Sequence, residues 1–553
     1  MNTPAKTTGL RYWMLRVLEE CENVATDFRT DPVHDLRVAL RRCRSLADGM
    51  IAMDPDHDWK AMKKAGKNVF QRLGALRDVQ IMLQWIETLD IPKTNAIKLA
   101  SDRSVDSGDP DLGGPSQPGA STDSSATPID PAKALLDILK TREIEGKREA
   151  QAALEEFDRK QWRQWAKSLP PRTTRTRPGS AVFKHLALER WMAAQDMHVR
   201  AMRNRSQVAL HTLRIGIKRF RYIVENFLPE QHKLWSNDLK HMQDLLGEVH
   251  DLDVLWATAL SCHIFPDDLS RKTWHDRIVE ERSKRVYEYR GRTTGPESLW
   301  NLWRAALPQD KQIHEIATRR LKLWAKALDP DFAHSERVAR LSLELYDGLL
   351  ACGFGSRTSP TSSSNNTDSD LRQSLYAASL LHDVGKAKGN KGHHKRSSEL
   401  IKKHGTPLGW KPGTLDRAAI IARFHCGGLP TRSHKALRDL LSDEQKNIIR
   451  LSAILRLANA LDVSHDGHIR RVKIENAVSG QHRTNGFLTK PTPLGKNEAL
   501  VISAEGYADG TPTAQALAAE RYLLESVLRR PVLVKPASGA QRRARPQRST
   551  LKA

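Results

Sequence analysis

The eleven residues from His34 to Arg44, HDLRVALRRCR, return between His211 and Arg221 as HTLRIGIKRFR, matching at the His, at Leu36 and Leu213, and at every basic position. The match continues downstream. Lys67 stands six residues before Leu73-Gly74 and Lys240 six before Leu246-Gly247, and LGALRDVQIM (73–82) then parallels LGEVHDLDVL (246–255) through Asp78 and Asp251. Two segments repeated in register point to a tandem of two similar units, and the three-and-four spacing of their apolar residues makes those units helical.

On a helix turning 100° per residue, His34, Arg37, Arg41 and Arg44 fall within a stripe of about 80°. Leu36, Leu40, Cys43 and Ala47 cluster on the opposite side, so the helix buries one face and carries a row of cations on the other. The second copy repeats this with His211, Arg214, Lys218 and Arg221 against Leu213, Ile217, Phe220 and Val224. Like charges four residues apart repel by a few tenths of a kcal/mol per pair. One such stripe is most simply a solvated helix face, but the same stripe twice, led each time by a His and followed by a Lys, suggests an anion between them.

The rest of the chain agrees with a polyanionic partner. Its 553 residues carry 89 Lys and Arg against 65 Asp and Glu, a formal net charge of +24, which favours polyanions. Cysteines at 21, 43, 262, 352 and 426 form no CxxC pair, against a disulfide framework or a zinc finger. No signal peptide or apolar membrane span is visible, so a cytoplasmic protein is expected. Ser-, Gly- and Pro-rich stretches predict a disordered insertion at 102–131, a short basic linker at 168–181, a flexible loop at 353–370 and a basic disordered tail at 537–553. Strand-like pieces appear only after Gly467, at 468–475, 498–504 and 532–535, with a helix-like run over 513–529. The expected fold is mainly α: a tandem of two helical units at 8–300, an all-helical domain at 310–466, and a small α+β extension at 467–536.

The H-x-L-R-x-x-x-[RK]-R-x-R helix, the K-x5-L-G-x-x-x-D segment and their duplication resemble the CHAD family, the conserved histidine α-helical domain. The resemblance implies two helical bundles facing each other across a basic channel that binds inorganic polyphosphate. It implies that His34, Arg37, Arg41, Arg42, Arg44 and Lys67 line one wall and His211, Arg214, Lys218, Arg219, Arg221 and Lys240 the other. Arg77 in the first copy is His250 in the second, so the walls need not be equivalent. Arg forks suit such a polymer, since each binds a phosphate bidentately.

A second set of chemistry-bearing residues begins at His334 and continues through Leu380-Leu-His382-Asp383-Val-Gly-Lys386, His393-His394, Arg423-Phe-His425 and Arg456-Leu-Ala-Asn459-Ala-Leu-Asp462. Adjacent His and Asp on an apolar helix, joined by His from other helices, is an arrangement that suits a buried divalent metal. The order resembles the HD superfamily of metal-dependent phosphohydrolases, and more narrowly the C-terminal region of the exopolyphosphatase and guanosine pentaphosphatase family. That resemblance implies a first metal, Mn2+ or Mg2+, held by His334, His382, Asp383 and Asn459. His394 and His425 would serve a second metal or the substrate phosphate. Asp383, Lys386 and Arg423 are the expected catalytic residues, with Lys386 or Arg423 neutralising developing charge. Asn459 departs from the family's carboxylate, and Asp462 is a neighbour.

The function expected is polyphosphate binding joined to metal-dependent hydrolysis of polyphosphate or a phosphorylated nucleotide. A scaffold on polyphosphate granules, with a degenerate HD fold, is the alternative. Nucleic-acid binding is a third reading, weakened by an aromatic content of 6% and the absence of a stacking strand or recognition helix.

Overall fold

The computed structural model describes residues 9–89, 130–354, 364–475 and 499–537, with the side chains of 364–366 excepted. The chain divides into two compact units, 1–312 and 313–553.

The first unit is helical among the described residues: α1 (Leu10–Thr26), α2 (Thr30–Ile51), α3 (His57–Ala65), α4 (Lys67–Thr88), α5 (Pro131–Glu155), α6 (Arg159–Ser168), α7 (Pro170–Thr173), α8 (Ala181–Arg203), α9 (Gln207–Phe227), α10 (Pro229–Ser261), α11 (Asp268–Thr293) and α12 (Leu299–Ala305). The repeated segments are α2 with α4, and α9 with α10. Capping is visible where the sequence offers it: the Asp130 carboxylate accepts from Ala132 N–H ahead of α5, and Ser206 Oγ from Ala209 N–H ahead of α9. Val33, Leu36, Leu40, Cys43 and Ala47 are buried on α2, and Leu213, Ile217, Phe220 and Val224 on α9, the faces that the periodicity assigns. One apolar cluster joins the two halves, with Met82 and Ile86 of α4 and Leu135 and Leu139 of α5 meeting Leu252 and Leu255 of α10 and Trp274 and Ile278 of α11.

The second unit begins within α13 (Asp310–Leu328) and continues through α14 (Phe332–Ala351), α15 (Ser364–Leu381), a 3-10 turn (Val384–Lys388), α16 (His393–His404), α17 (Thr414–Arg423) and α18 (Ser442–Leu461), then β1 (Arg471–Glu475), β2 (Leu500–Glu505), α19 (Pro512–Leu528) and β3 (Val532–Pro536). β2 is central, antiparallel to β1 and parallel to β3. Strands and helix fall close to where the sequence places them. The described residues of the expected extension at 467–536 share a core with the helices before it, since Val472, Ile502, Leu517 and Val532 are buried in the same cluster as Leu345, Leu380 and Leu455. Its sheet is too small to bury both faces alone.

The insertion expected at 102–131 lies outside the described residues except for Asp130 and Pro131, which open α5, and the tail from 538 lies outside them as well. Helix is present within two of the expected loops. The 353–370 segment is helical from Ser364, and the 168–181 linker contains α7. Among the described residues, no helix is long and apolar enough to cross a membrane.

Candidate functional site

Because α2 and α9 each turn an apolar face inward, their cationic stripes are left free to face a common space. The two helices pack against one another, with Asn226 Nδ2 donating to Ser45 Oγ at 2.8 Å, Arg42 paired with Glu225 and Arg41 over the ring of Tyr222 at 5.6 Å. Residues of α2, α4, α9 and α10 line a cavity of about 410 Å³, where His34, Arg37, Arg41 and Arg77 of the first copy meet Arg214, Lys218, Arg221 and Lys240 of the second. Asp244, Glu248 and Asp251 line it too.

Among the described residues, several guanidinium nitrogens here have no internal acceptor. Arg37 Nη1, Arg41 Nε, Arg77 Nη1 and Arg214 Nε are shielded from solvent and make no hydrogen bond, a cost of roughly 1–3 kcal/mol per group that a ligand rich in acceptor oxygens would relieve. The repeated glycine shares in this arrangement. A Cβ on Gly74 would stand 2.7 Å from Arg37 Nη1, and one on Gly247 3.8 Å from Arg214 Nε, so a bare backbone at 74 lets Arg37 lie across the neighbouring helix. The crowding of cations shows in the titration. Burial and the charges of Arg214, Arg41 and Arg37 hold the Lys218 ammonium down to about 7, against the pull of Asp251. Burial lifts Asp251 to about 6 despite Arg214, with Asp78 adding to the rise.

The remaining residues expected on the walls are placed elsewhere. Arg42 pairs with Glu225 and lies over Trp13 at 5.2 Å. Arg44 Nη1 donates to the Lys63 carbonyl at 3.0 Å and the guanidinium covers Phe70. His211 meets His250, Nδ1 to Nδ1 at 3.2 Å, and burial, then Arg214 and His211, hold His250 down to about 4. Lys67 and Arg219 are exposed, outside the cavity lining. Arg77, which sequence reasoning left off the walls, belongs to the lining; its place in the repeated LG-x-x-[RH]-D segment was the available signal.

In the second unit, Asp331 caps α14 by accepting from His334 N–H at 3.2 Å, and His334 points its ring at α18. Its Nδ1 is 2.7 Å from Asp462 and its Nε2 3.0 Å from Asn459 Oδ1. His334, His382 and Asp383 bring ligand atoms within 4.8 Å of one another, as do Asp383, His393 and His425. A shared device fixes three of these rings. Nδ1–H of His382 donates to the Ser379 carbonyl, that of His393 to Asn390 and that of His425 to Ala422, each at 2.7 Å. With Nδ1 protonated, Nε2 is the atom presented to Asp383: 3.3 Å for His382, 3.2 Å for His393 and 3.7 Å for His425. This is the outer-shell pattern of metal-ligating imidazoles.

The donor set fits a divalent cation. His382 Nε2 and Asp383 Oδ1 are buried and lack a hydrogen bond. His393 and His425 bring Nε2 atoms to 3.0 Å of each other, a contact between lone pairs unless a proton or a cation lies between. Without a metal, Asp383 carries the electrostatics. Although burial opposes it, contact with His382 and His393 holds its carboxyl well below the usual range. The carboxylate 3.2 Å away, then Cys426, raises His393 to about 10, while burial drives His425 well below an ordinary imidazole. Lys386 Nζ sits 2.5 Å from Asp383 Oδ2.

Three expectations are revised here. His394 is grouped with His393 and Cys426 instead of the central set, and His393 takes the inner place. Burial, then the charges of His393, Lys395 and Arg423, lower the affinity of His394 for protons, which places Arg423 beside His394; Lys386 is in contact with Asp383. Asp462 directly orients His334. Arg456 is buried and fastens the loop that bears His425, donating to the carbonyls of Phe424 at 3.0 Å and Gly427 at 3.2 Å while paired with Glu520 at 2.6 Å.

Residues 14–260 match the family described as CHAD domain, and residues 316–503 match Ppx/GppA phosphatase, domain III. No curated protein matches the chain.

Proposed function

We propose that this chain, in which a CHAD domain is followed by a Ppx/GppA phosphatase domain III, binds inorganic polyphosphate in the cationic cavity of its first unit and slowly hydrolyses phosphoanhydrides at the histidine centre of its second. The observation that carries the reading is the convergence of Arg37, Arg41, Arg77 and Arg214, each with a buried nitrogen lacking an acceptor, on one cavity. Polyphosphate supplies acceptor oxygens along a flexible chain with about one charge per phosphate, and guanidinium forks bind such oxygens in pairs. Association with polyphosphate granules follows from the same chemistry.

At the second centre, Mn2+ or Mg2+ would be held by His334, His382, Asp383 and Asn459, with His393 and His425 beside them. When bound, the cation would polarise a phosphoryl oxygen and acidify water. The chain's own residues do the rest: Asp462 and the three carbonyls hold the imidazole tautomers, Arg456 holds the His425 loop, and Lys386 supplies positive charge beside Asp383. The scaffold reading is favoured by one feature, the neutral Asn459 in place of a carboxylate.

Two measurements test the proposal. Arg41→Glu with Lys218→Glu should weaken polyphosphate binding far more than Arg542→Glu with Arg543→Glu in the tail; equal losses would mean diffuse charge. Phosphate release from polyphosphate and nucleotides with added Mn2+ or Mg2+ should vanish in His382→Ala. Binding with no release from the natural sequence would leave the scaffold reading.

A further inference from the structure

Beside the central set, His393 and His394 from the first turn of α16 and Cys426 from the loop after α17 bring one ligand atom each within 4.8 Å of one another. Among the described residues this is the one such group that contains sulfur. Both of its elements are held in place. Nδ1–H of His393 is committed to the Asn390 carbonyl, which leaves Nε2 as the coordinating atom, 3.8 Å from Cys426 Sγ. Arg456 donates to the carbonyls of Phe424 and Gly427, on either side of Cys426 in the chain. The His394 ring comes within 3.8 Å of where a Cβ on Gly427 would stand, and it lies nearly perpendicular to the His393 ring, at 89°.

Spacing and donor chemistry select the same ligand. In a tetrahedral zinc site, with Zn–S of about 2.3 Å and Zn–N of about 2.0–2.1 Å, sulfur and nitrogen stand about 3.6 Å apart, close to the 3.8 Å between Cys426 and His393. Two imidazoles and a thiolate offer no oxygen, so they favour a borderline or soft cation over Mg2+ or Mn2+. We propose that His393, His394 and Cys426 form a zinc site, separate from the hard-cation centre proposed above, with its fourth position left to water. Binding releases the Cys426 proton, because the thiolate is the ligand. The zinc site goes beyond the proposed hydrolysis and meets it at one atom. His393 Nε2 is also 3.2 Å from Asp383, and its lone pair serves one cation at a time.

Titration of the reduced, metal-free full chain with Co2+, followed by Zn2+, tests the assignment. Bound Co2+ should show thiolate-to-metal charge-transfer absorption, and Zn2+ should bleach it. Cys426→Ser should remove the band. His394→Gln should raise the Co2+ concentration at half-saturation more than about tenfold, the least that losing an outer partner costs a metal site. His382→Ala, which removes a ligand of the central set, should leave the band in place. Zn2+ should also protect Cys426 from alkylation by iodoacetamide in the unsubstituted chain, with the reaction of the half-buried Cys262 unchanged, a readout that needs no variant to fold. Absence of the band, its survival in Cys426→Ser, or alkylation of Cys426 that Zn2+ does not slow overturns the zinc site. A band lost in His382→Ala as well would assign the thiolate to the central set and overturn a separate site. If the band behaves as expected while Mn2+ and Mg2+ support no phosphate release, the proposed hydrolysis fails and the zinc site stands.

Discussion

At the scale of single residues, the proposed metal centre turns on Asn459. It stands 3.0 Å from His334 Nε2, where a carboxylate would bring a full negative charge to a poorly screened site. Asn459→Asp should therefore raise the metal retained after dialysis and any phosphate release, and His382→Ala in that background should abolish both. Stoichiometric metal in the natural protein, unchanged by Asn459→Asp, would remove Asn459 from the ligand set. Lys218 sets a different property. Held near pH 7 by burial and neighbouring arginines, it is partly neutral when the cavity is free, and a polyanion restores its charge. Binding polyphosphate at about pH 7.5 should take up a substantial fraction of a proton, read from binding enthalpies in buffers of different ionisation heat, and Lys218→Met should remove most of it. The linkage has a definite sign. The folded pKa lies below the unfolded value of about 10.4, so the unfolded chain holds the extra proton between about pH 7 and 10. This residue's contribution to free-protein stability thus rises with pH through that window, and saturating polyphosphate should flatten the rise.

At the scale of elements, close approach decides what each helix can present. A Cβ on Gly385 would lie 2.2 Å from the His393 carbonyl and 2.7 Å from Ser397 N, because the 3-10 turn after Asp383 abuts the first turn of α16. Gly385→Ala should push α16 away and abolish metal retention, while polyphosphate binding by the first unit is kept; retained metal would show that α16 is not needed at the centre. The same approach explains which features were legible in sequence. Periodicity alone gave the buried faces of α2 and α9, and hence which cations turn outward. It could not show that Glu225 and Trp13, from other parts of the fold, would claim Arg42. Nor could it choose between His393 and His394, which point about 100° apart on one helical turn until the Gly385 contact fixes the helix's rotation. Asp462, expected only as a neighbour of Asn459, does more because α18 ends at Leu461, which frees its carboxylate to reach His334 and Arg337.

At the scale of the molecule, the first unit contains both walls of its cavity and the apolar cluster that holds the halves together. Residues 1–312 should therefore bind polyphosphate as the full chain does, with affinity falling linearly in log–log fashion as salt rises, because binding releases condensed counterions. A loss well beyond tenfold on removing the second unit would mean that the polymer also needs that unit. The duplication behind the cavity is inexact. Arg42 is engaged while its counterpart Arg219 is exposed, and Arg77 of one half has His250 as its counterpart in the other. Polyphosphate reads the same from either end, whereas this cleft does not. If it binds here as proposed, a polymer with no sense of its own would therefore take a heading, since its two orientations, identical in water, would differ in energy between unlike walls.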